Sequence, residues 1–394
     1  MITARYDRME DHMMKHDACY YSGGFGLERE TLRVDAAGRL AQTPHPFGDD
    51  EQITRDFCEN QVELITGVCP DVYAAVDALA ALDARTRQVL TAQGESLWLY
   101  SNPPHFTQES DIPIARFTGD HSNKRSYREA LEKRYGKRLM LFSGVHFNFS
   151  FSKELLQRWH GVDGDLQAFT DALYLRLYRQ LMRHSWLLVL LTAASPVYDR
   201  SLDADGEAGA VRGHYSSLRN SERGYWNQFL PVLDHTDLGT FTDSVREYLN
   251  KGLLFSASEL YLPIRLKPRG ANSLENLAEN GVDHIELRMF DLNPLTPTGV
   301  CADDLEFAHL LMLYLVSLED APFTPEQQEA AVREHQAAAL IEPPASLQNR
   351  AREILHDMQD FYREEPAPQR ILDGLLRRLD GVRLCDQVPD PYAS

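Results

Sequence analysis

"FGLERETLRV", residues 25–34, decides how the fold is read. It follows "YYSGG" and precedes the turn-like "DAAGR", a setting that predicts a β-strand ahead of a hairpin. On a strand, residues two apart point to the same side. Glu28, Glu30, Leu32 and Val34 then share one face, opposite Leu27, Arg29, Thr31 and Arg33. Two carboxylates placed side by side repel each other, so their pairing needs a cause.

Three more stretches alternate, and more cleanly. In "GVHFNFS" (144–150), Val145, Phe147 and Phe149 oppose His146, Asn148 and Ser150. In "HIELRMF" (284–290), Ile285, Leu287 and Met289 oppose His284, Glu286 and Arg288. In "CENQVELI" (58–65), Val62 and Leu64 oppose Glu59, Gln61 and Glu63. A one-sided antiparallel sheet alternates without any function, because its outer face meets water. Such a face favours Thr, Lys and Ser, whereas these polar positions carry Glu, His, Asn and Arg. Clustered carboxylates raise one another's pKa unless a cation sits among them. Magnesium takes oxygen ligands and bridges one or two carboxylates to phosphates. The wet face therefore suggests a metal–nucleotide site on a sheet.

Helical spacing marks 71–94, 126–138 and 165–194. The apolar "WLLVLLTAA" (186–194) is too short to cross a bilayer and reads as a buried helix end. Residues 139–152 read as one strand and 110–124 as loop. Residues 202–226, rich in Gly, Asp and Ser, read as an ordered surface loop, with a disordered linker as the alternative for the first half. From Asp303 to about Leu379 the pattern is helical, broken at "EPP" (342–344) and "EEPAP" (364–368). The expected fold is α+β: antiparallel strands, helices packed on one side, and a C-terminal helical region.

The net charge of −19 argues against a general nucleic-acid binder, which needs a basic face. The five cysteines are scattered and form no CxxC pair, so neither a disulfide framework nor a zinc site is expected, and a reducing cytoplasm fits best. "MITARYDRMEDHMMKHDACYY" (1–21) has no long apolar run, so no secretory signal and no membrane association are expected. GxxxxGK[ST], GxGxxG, HExxH and GxSxG are all missing. If the chain handles ATP, it does so through metal-bound phosphates and arginines.

Six stretches occur in an order that resembles the glutamate–cysteine ligase family. They are "GLERETLRV" (26–34), "TRDFCENQVELIT" (54–66), "YREALEKRYG" (127–136), "SGVHFNFS" (143–150), "SLRNSERGY" (217–225) and "IELRMFDLNP" (285–294). The resemblance is to the bacterial type, above all to the ligase module of fused two-step enzymes, and covers about residues 20–300. It implies a cup-shaped antiparallel sheet backed by helices, akin to the glutamine synthetase catalytic region. One catalytic domain would span 1–394, with its core at about 20–300 and a helical extension at about 303–380.

The same resemblance implies two or three magnesium ions on Glu28, Glu30, Asp56, Glu63, His146 and Glu286, with ATP as co-substrate. Arg128 and Arg288 match arginines near the ATP phosphates, while Tyr127, Arg219 and Tyr225 match substrate-binding positions. Asn148, on the wet face of its strand, joins the substrate-binding set. The implied reaction makes γ-glutamyl phosphate from glutamate and ATP, and an amine then displaces phosphate. Each residue also has a plainer reading. Arg128 with Glu132 could be a surface i,i+4 pair, and Tyr127 and Tyr225 could be packing residues.

Two positions depart from the family pattern. Leu295 follows "DLNP" where Phe is common, and Met140 stands where some members carry a polar residue. The second leaves the amine acceptor open between cysteine and another amine; a non-catalytic regulatory homologue is the remaining alternative. No ATP-grasp module is recognised, so glycine addition is not expected of this chain. Oligomeric state is left open.

Overall fold

The computed structural model describes residues 18–117, 123–161 and 164–393. The reading of residues 1–21 falls almost wholly outside these, as does the loop reading at 118–122. In chain order the strands are β1 (Gly23–Val34), β2 (Ile53–Thr54), β3 (Gln61–Ile65), β4 (Ser96–Trp98) and β5 (Gly144–Phe151). β6 (Val197–Asp199), β7 (Ala210–Arg212), β8 (Ile264–Lys267) and β9 (His284–Asp291) follow. A seven-stranded antiparallel sheet runs β2-β3-β1-β5-β9-β8, with β4 also paired to β1.

The register brings the polar positions together. Glu30 lies opposite Glu63, Glu28 opposite His146, and Glu286 opposite both Asn148 and Arg265. On the other face Phe25, Phe147, Phe149, Ile285 and Leu287 are buried. Removing such side chains from water is the main favourable term in folding, about 1.5–3 kcal/mol each.

Helices cover that inner face. The principal helices are α1 (Val72–Ala92), α2 (Asn123–Tyr135), which stands on the opposite, site side, α3 (Lys153–His160), α4 (Leu166–Thr192), α5 (Leu238–Asn250) and α6 (Leu274–Asn280). They continue as α7 (Ala302–Ser317), α8 (Pro325–Ala338), α9 (Ala345–Phe361) and α10 (Pro366–Asp380). Asp165 caps α4 by accepting from the Gln167 and Ala168 amides, and Ser185–Thr192 at its far end are buried all round. Among the described residues no helix is long and apolar enough to cross a membrane. One apolar cluster runs without a break from Phe25 and Phe147 through Leu187 and Leu311 to Leu355 and Leu372.

The mixed faces of β1 now have a cause. Arg29 and Arg33 lie on the core side, fully buried, and each meets a carboxylate: Asp83 on α1 at 2.5 Å and Glu95 at 2.6 Å. Leu32, on the site side, is covered by a second apolar cluster containing Leu131, Met140 and Tyr261.

Four expectations need correction. The hairpin after β1 closes with only a Val34–Leu40 bridge, and the neighbours of β1 are the more distant β3, β4 and β5. Leu139–Leu141 form a 3-10 turn with Met140 and Leu141 buried, and the strand starts at Gly144. Residues 202–226 are not all surface loop: Ala210–Arg212 pair with Val197–Asp199, and Tyr215–Ser221 are buried. Finally, the β5–β9 register shifts between Val145 and Phe147, so β9 carries an extra residue there. Phe290 rather than Met289 pairs with Val145 and packs on Phe147, and Met289 lines the pocket beside Arg288.

Buried imidazoles set an acid limit on stability. Burial pushes His45, His184 and His235 down to about 4 and His335 to about 3. Below about pH 6.5 the unfolded chain binds protons that these folded imidazoles refuse, so stability falls as pH drops. The loss is about 1.4 kcal/mol per pH unit per imidazole, opposed in part by the groups whose pKa values are raised, among them His146, Glu63 and Glu30. Urea unfolding midpoints should therefore fall clearly between pH 7.5 and 5.5. A flat profile over that range would contradict the neutral, buried assignment.

Candidate active site

The strands β1, β3, β5, β8 and β9 deliver polar side chains to one concavity. Glu28, Glu30, Asp56, Glu63, Tyr127, Arg128, His146, Tyr225, Glu286 and Arg288 line one pocket. An adjoining pocket shares Glu30, Asp56, His146, Tyr225 and Arg288 and adds Arg219. Asn148 stands just behind the wall and donates to the Glu28 carboxylate at 3.1 Å. All twelve residues singled out from the sequence are thus brought to one region. β1, β3, β5 and β9 make the floor, while α2 supplies Tyr127 and Arg128 and the 217–226 segment supplies Arg219 and Tyr225.

His146 is the hub. Its Nδ1 lies 3.4 Å from Glu28 and 3.2 Å from Glu286, and its Nε2 is 3.6 Å from Glu30. One donor atom each from Glu28, His146 and Glu286 falls within a span of 4.8 Å, close enough for a single ion. Arg288 donates to Glu286 at 2.8 Å, and Arg265 and Lys267 each approach its other oxygen at 3.5 Å. That oxygen is buried and accepts no hydrogen bond among the described residues.

The charges divide the site into two ends. Burial opposes ionisation of Glu286, yet Arg288, Lys267 and Arg265 hold its carboxyl well below the usual range. Glu28 is also held down: burial and Glu286 push it up, but His146 and Lys267 outweigh them. At the other end burial, then Asp56, Glu28 and Glu30, pushes Glu63 well above the usual range. Burial likewise raises Glu30, although His146 pulls the other way. Acidic groups pushed up together in this way form an anionic end that a hard cation would relieve. Oxygen and imidazole donors are also what such a cation accepts, so the residues present fit a divalent metal ion.

Arg219 enters on a close backbone approach. A Cβ on Gly144 would lie 2.5 Å from the Arg219 guanidinium, so any larger residue there would push that side chain aside. Its NH1 group donates to the Phe290 carbonyl at 2.9 Å, and its buried Nε has no partner among the described residues. Burial pushes its pKa down, with Asp291 and Glu30 pulling it back up. Tyr225 and Tyr261 close the wall with ring centroids 4.2 Å apart, and the Tyr225 hydroxyl donates to the Met140 sulfur at 3.5 Å.

Residues 10–338 match the family model for glutamate-cysteine ligase. A glutathione biosynthesis bifunctional protein of Listeria monocytogenes is 38% identical over 339 residues, which cover 81% of this chain and 43% of that protein. A glutamate–cysteine ligase of Clostridium acetobutylicum is 33% identical over 372 residues, covering 81% of this chain and 77% of that one. The crystal structure of a bifunctional glutathione synthetase from Pasteurella multocida superposes with a TM-score of 0.83 at 26% identity, over 95% of this chain and 51% of that one. The chain belongs to the glutamate–cysteine ligase family.

It spans less than half the length of the Listeria protein and about half of the Pasteurella chain. Membership in this ligase family agrees with the α+β fold and with the family resemblance carried by the six stretches. What sequence reading missed is the edge strand β8, which brings Arg265 and Lys267 to the carboxylates, and with it Tyr261. A signal was present in "IRLK" (264–267), where Ile264 and Leu266 alternate with Arg265 and Lys267. Four residues before a Pro-Arg-Gly turn are a short signal against "LYLP" on the other side.

Proposed function

We propose that this chain joins the γ-carboxylate of glutamate to the amine of cysteine, using ATP and passing through γ-glutamyl phosphate. The observation that carries the proposal is the convergence of Glu28, His146 and Glu286 with Arg288 on one face of the sheet. Phosphoryl transfer needs positioning and charge neutralisation more than covalent help. Bound magnesium would supply Lewis-acid neutralisation of the phosphates, held by Glu28, His146 and Glu286 at one end and by Glu30, Glu63 and Asp56 at the other. Two such groups support the lower figure of the two or three ions that the family resemblance implies.

The chain's own residues do the rest. Glu286 drives the Arg288 guanidinium above its usual range against the opposing effect of burial, so Arg288 stays charged beside the transferred phosphoryl group. Arg128 reaches Asp56 across the same pocket and faces the phosphates from the α2 side. Arg219 would take a substrate carboxylate, where a guanidinium fork gives orientation as well as charge. Tyr127, Tyr225 and Tyr261 narrow the cleft and keep water from the acyl phosphate. Asn148 orients Glu28 through its amide, a role one step back from substrate. The unbroken apolar core supports reading 1–394 as a single catalytic domain with the later helices built in.

The acceptor is the finer question. Met140, Phe142 and Met289 line the end of the pocket beyond Tyr225, an apolar lining suited to a small, weakly polar side chain. Phosphate release with ATP, magnesium and glutamate should rise on adding cysteine. Release stimulated only by a different amine would move the reading to that acceptor, and none with any amine would overturn the ligase assignment.

A further inference from the structure

We propose that His335, on α8 in the C-terminal helical region, is a positioning residue that sets the Arg219 segment against β9. The proposal rests on the reading of Arg219 as the arginine that takes a substrate carboxylate. His335 is 1% exposed, and both of its ring nitrogens are engaged. Nε2 lies 3.2 Å from the Asn220 side-chain oxygen, and Nδ1 lies 2.9 Å from the Ser185 hydroxyl on α4.

The Asn220 amide fixes the proton positions. Its Nδ2 donates to the Met289 carbonyl at 2.9 Å and to the Ser217 hydroxyl at 2.8 Å, so its oxygen is the acceptor that faces His335. His335 therefore donates from Nε2, and with the ring neutral its Nδ1 accepts from the Ser185 hydroxyl, whose other acceptor, the Met182 carbonyl, lies farther off at 3.4 Å. Burial and the nearby Arg219 charge both keep it neutral. Ser217 in turn donates to Asp291 at 3.0 Å, the last residue of β9.

This relay clamps the backbone on both sides of Arg219. Ser217 and Asn220 are fastened to Met289 and Asp291, while Arg219 itself holds Phe290. His335 ties the side chain of Asn220 to α4 through Ser185, beside a backbone bond from the Ser217 amide to the Ala339 carbonyl at the end of α8. Trp226 stands edge-on against the imidazole at 5.3 Å between ring centroids, so the ring also backs the pocket wall. Among the described residues, His335 is the side chain through which the C-terminal helices line this pocket. A displaced Arg219 would weaken the grip on one carboxylate without touching the phosphate end, where Arg288 and the Glu28 cluster lie.

His335→Phe keeps the bulk and the contact with Trp226 but removes both hydrogen bonds. Its KM for one amino-acid substrate should rise about tenfold, with kcat and the KM for ATP changed less than about threefold. His335→Gln, whose amide can donate to Asn220 and accept from Ser185, should stay within about threefold of the parent on all three constants. Arg219→Ala should raise the same amino-acid KM, and adding His335→Phe to it should raise that KM no further, because both act on one interaction. If Arg219→Ala leaves every amino-acid KM alone, the reading of Arg219 fails. If Arg219→Ala acts but His335→Phe either has parental constants or multiplies with it, the positioning role fails. Should the Phe variant not fold, Ser185→Ala is read in the same cycle, with a rise of about fivefold or more expected and constants within about threefold of the parent overturning the role.

Discussion

Glu28→Gln is expected to lower turnover by about a thousandfold or more, with the unfolding midpoint close to that of the parent. The substitution keeps the size of the side chain, and the remaining carbonyl oxygen can still accept from the Asn148 amide. It removes one negative charge next to His146 and Lys267, and with it the ion-binding strength of the group formed with Glu286. Folding loses little, because Glu286 repels the same charge and offsets much of what His146 and Lys267 give. Steady-state kinetics over a magnesium series, with a urea melt of the same sample, separates the two effects. Partial recovery at high magnesium fits a weakened ion site. Parental activity in Glu28→Gln would remove Glu28 from the metal ligands.

Asp83→Ala should have the largest effect on stability, about 3–5 kcal/mol. Arg29 is fully buried on the core side of β1, and its guanidinium contacts are Asp83 at 2.5 Å and the Thr298 carbonyl at 2.7 Å. Removing the carboxylate leaves a cation without compensation in an apolar layer, which costs far more than the ion pair itself contributes. The paired replacement Arg29→Met with Asp83→Leu should recover most of the loss, since it withdraws both charges together. Equilibrium urea unfolding of the two variants tests this. A single variant as stable as the parent would mean that Arg29 reaches water.

These two residues on one strand also show how far the sequence could be read. Alternation put Glu28 and Glu30 on one face, and the same rule put Arg29 and Arg33 on the other. It could not tell that the arginines were the buried set, because period two labels faces without saying which is dry. Asp83 and Glu95, the partners that make burial tolerable, lie more than 50 residues away. Met289 was misplaced for a related reason: one extra residue opposite His146 reverses the faces beyond it. Arg265 and Lys267 were missed because four alternating residues are too few to stand out beside a loop.

The sequence by itself determined the long helices at 72–92 and 166–192, the strands that carry the acidic face, and the family. Each of these depends on local periodicity and on the order of short stretches along the chain. Only the tertiary structure decided that six separated segments converge on one site. It also decided that Glu63 and Glu30 are raised while Glu286 and Glu28 are lowered, and that a helix near residue 335 is tied to the substrate end. A carboxylate's charge depends on which cations stand within a few ångströms. That follows from strand order and register, which no local pattern encodes.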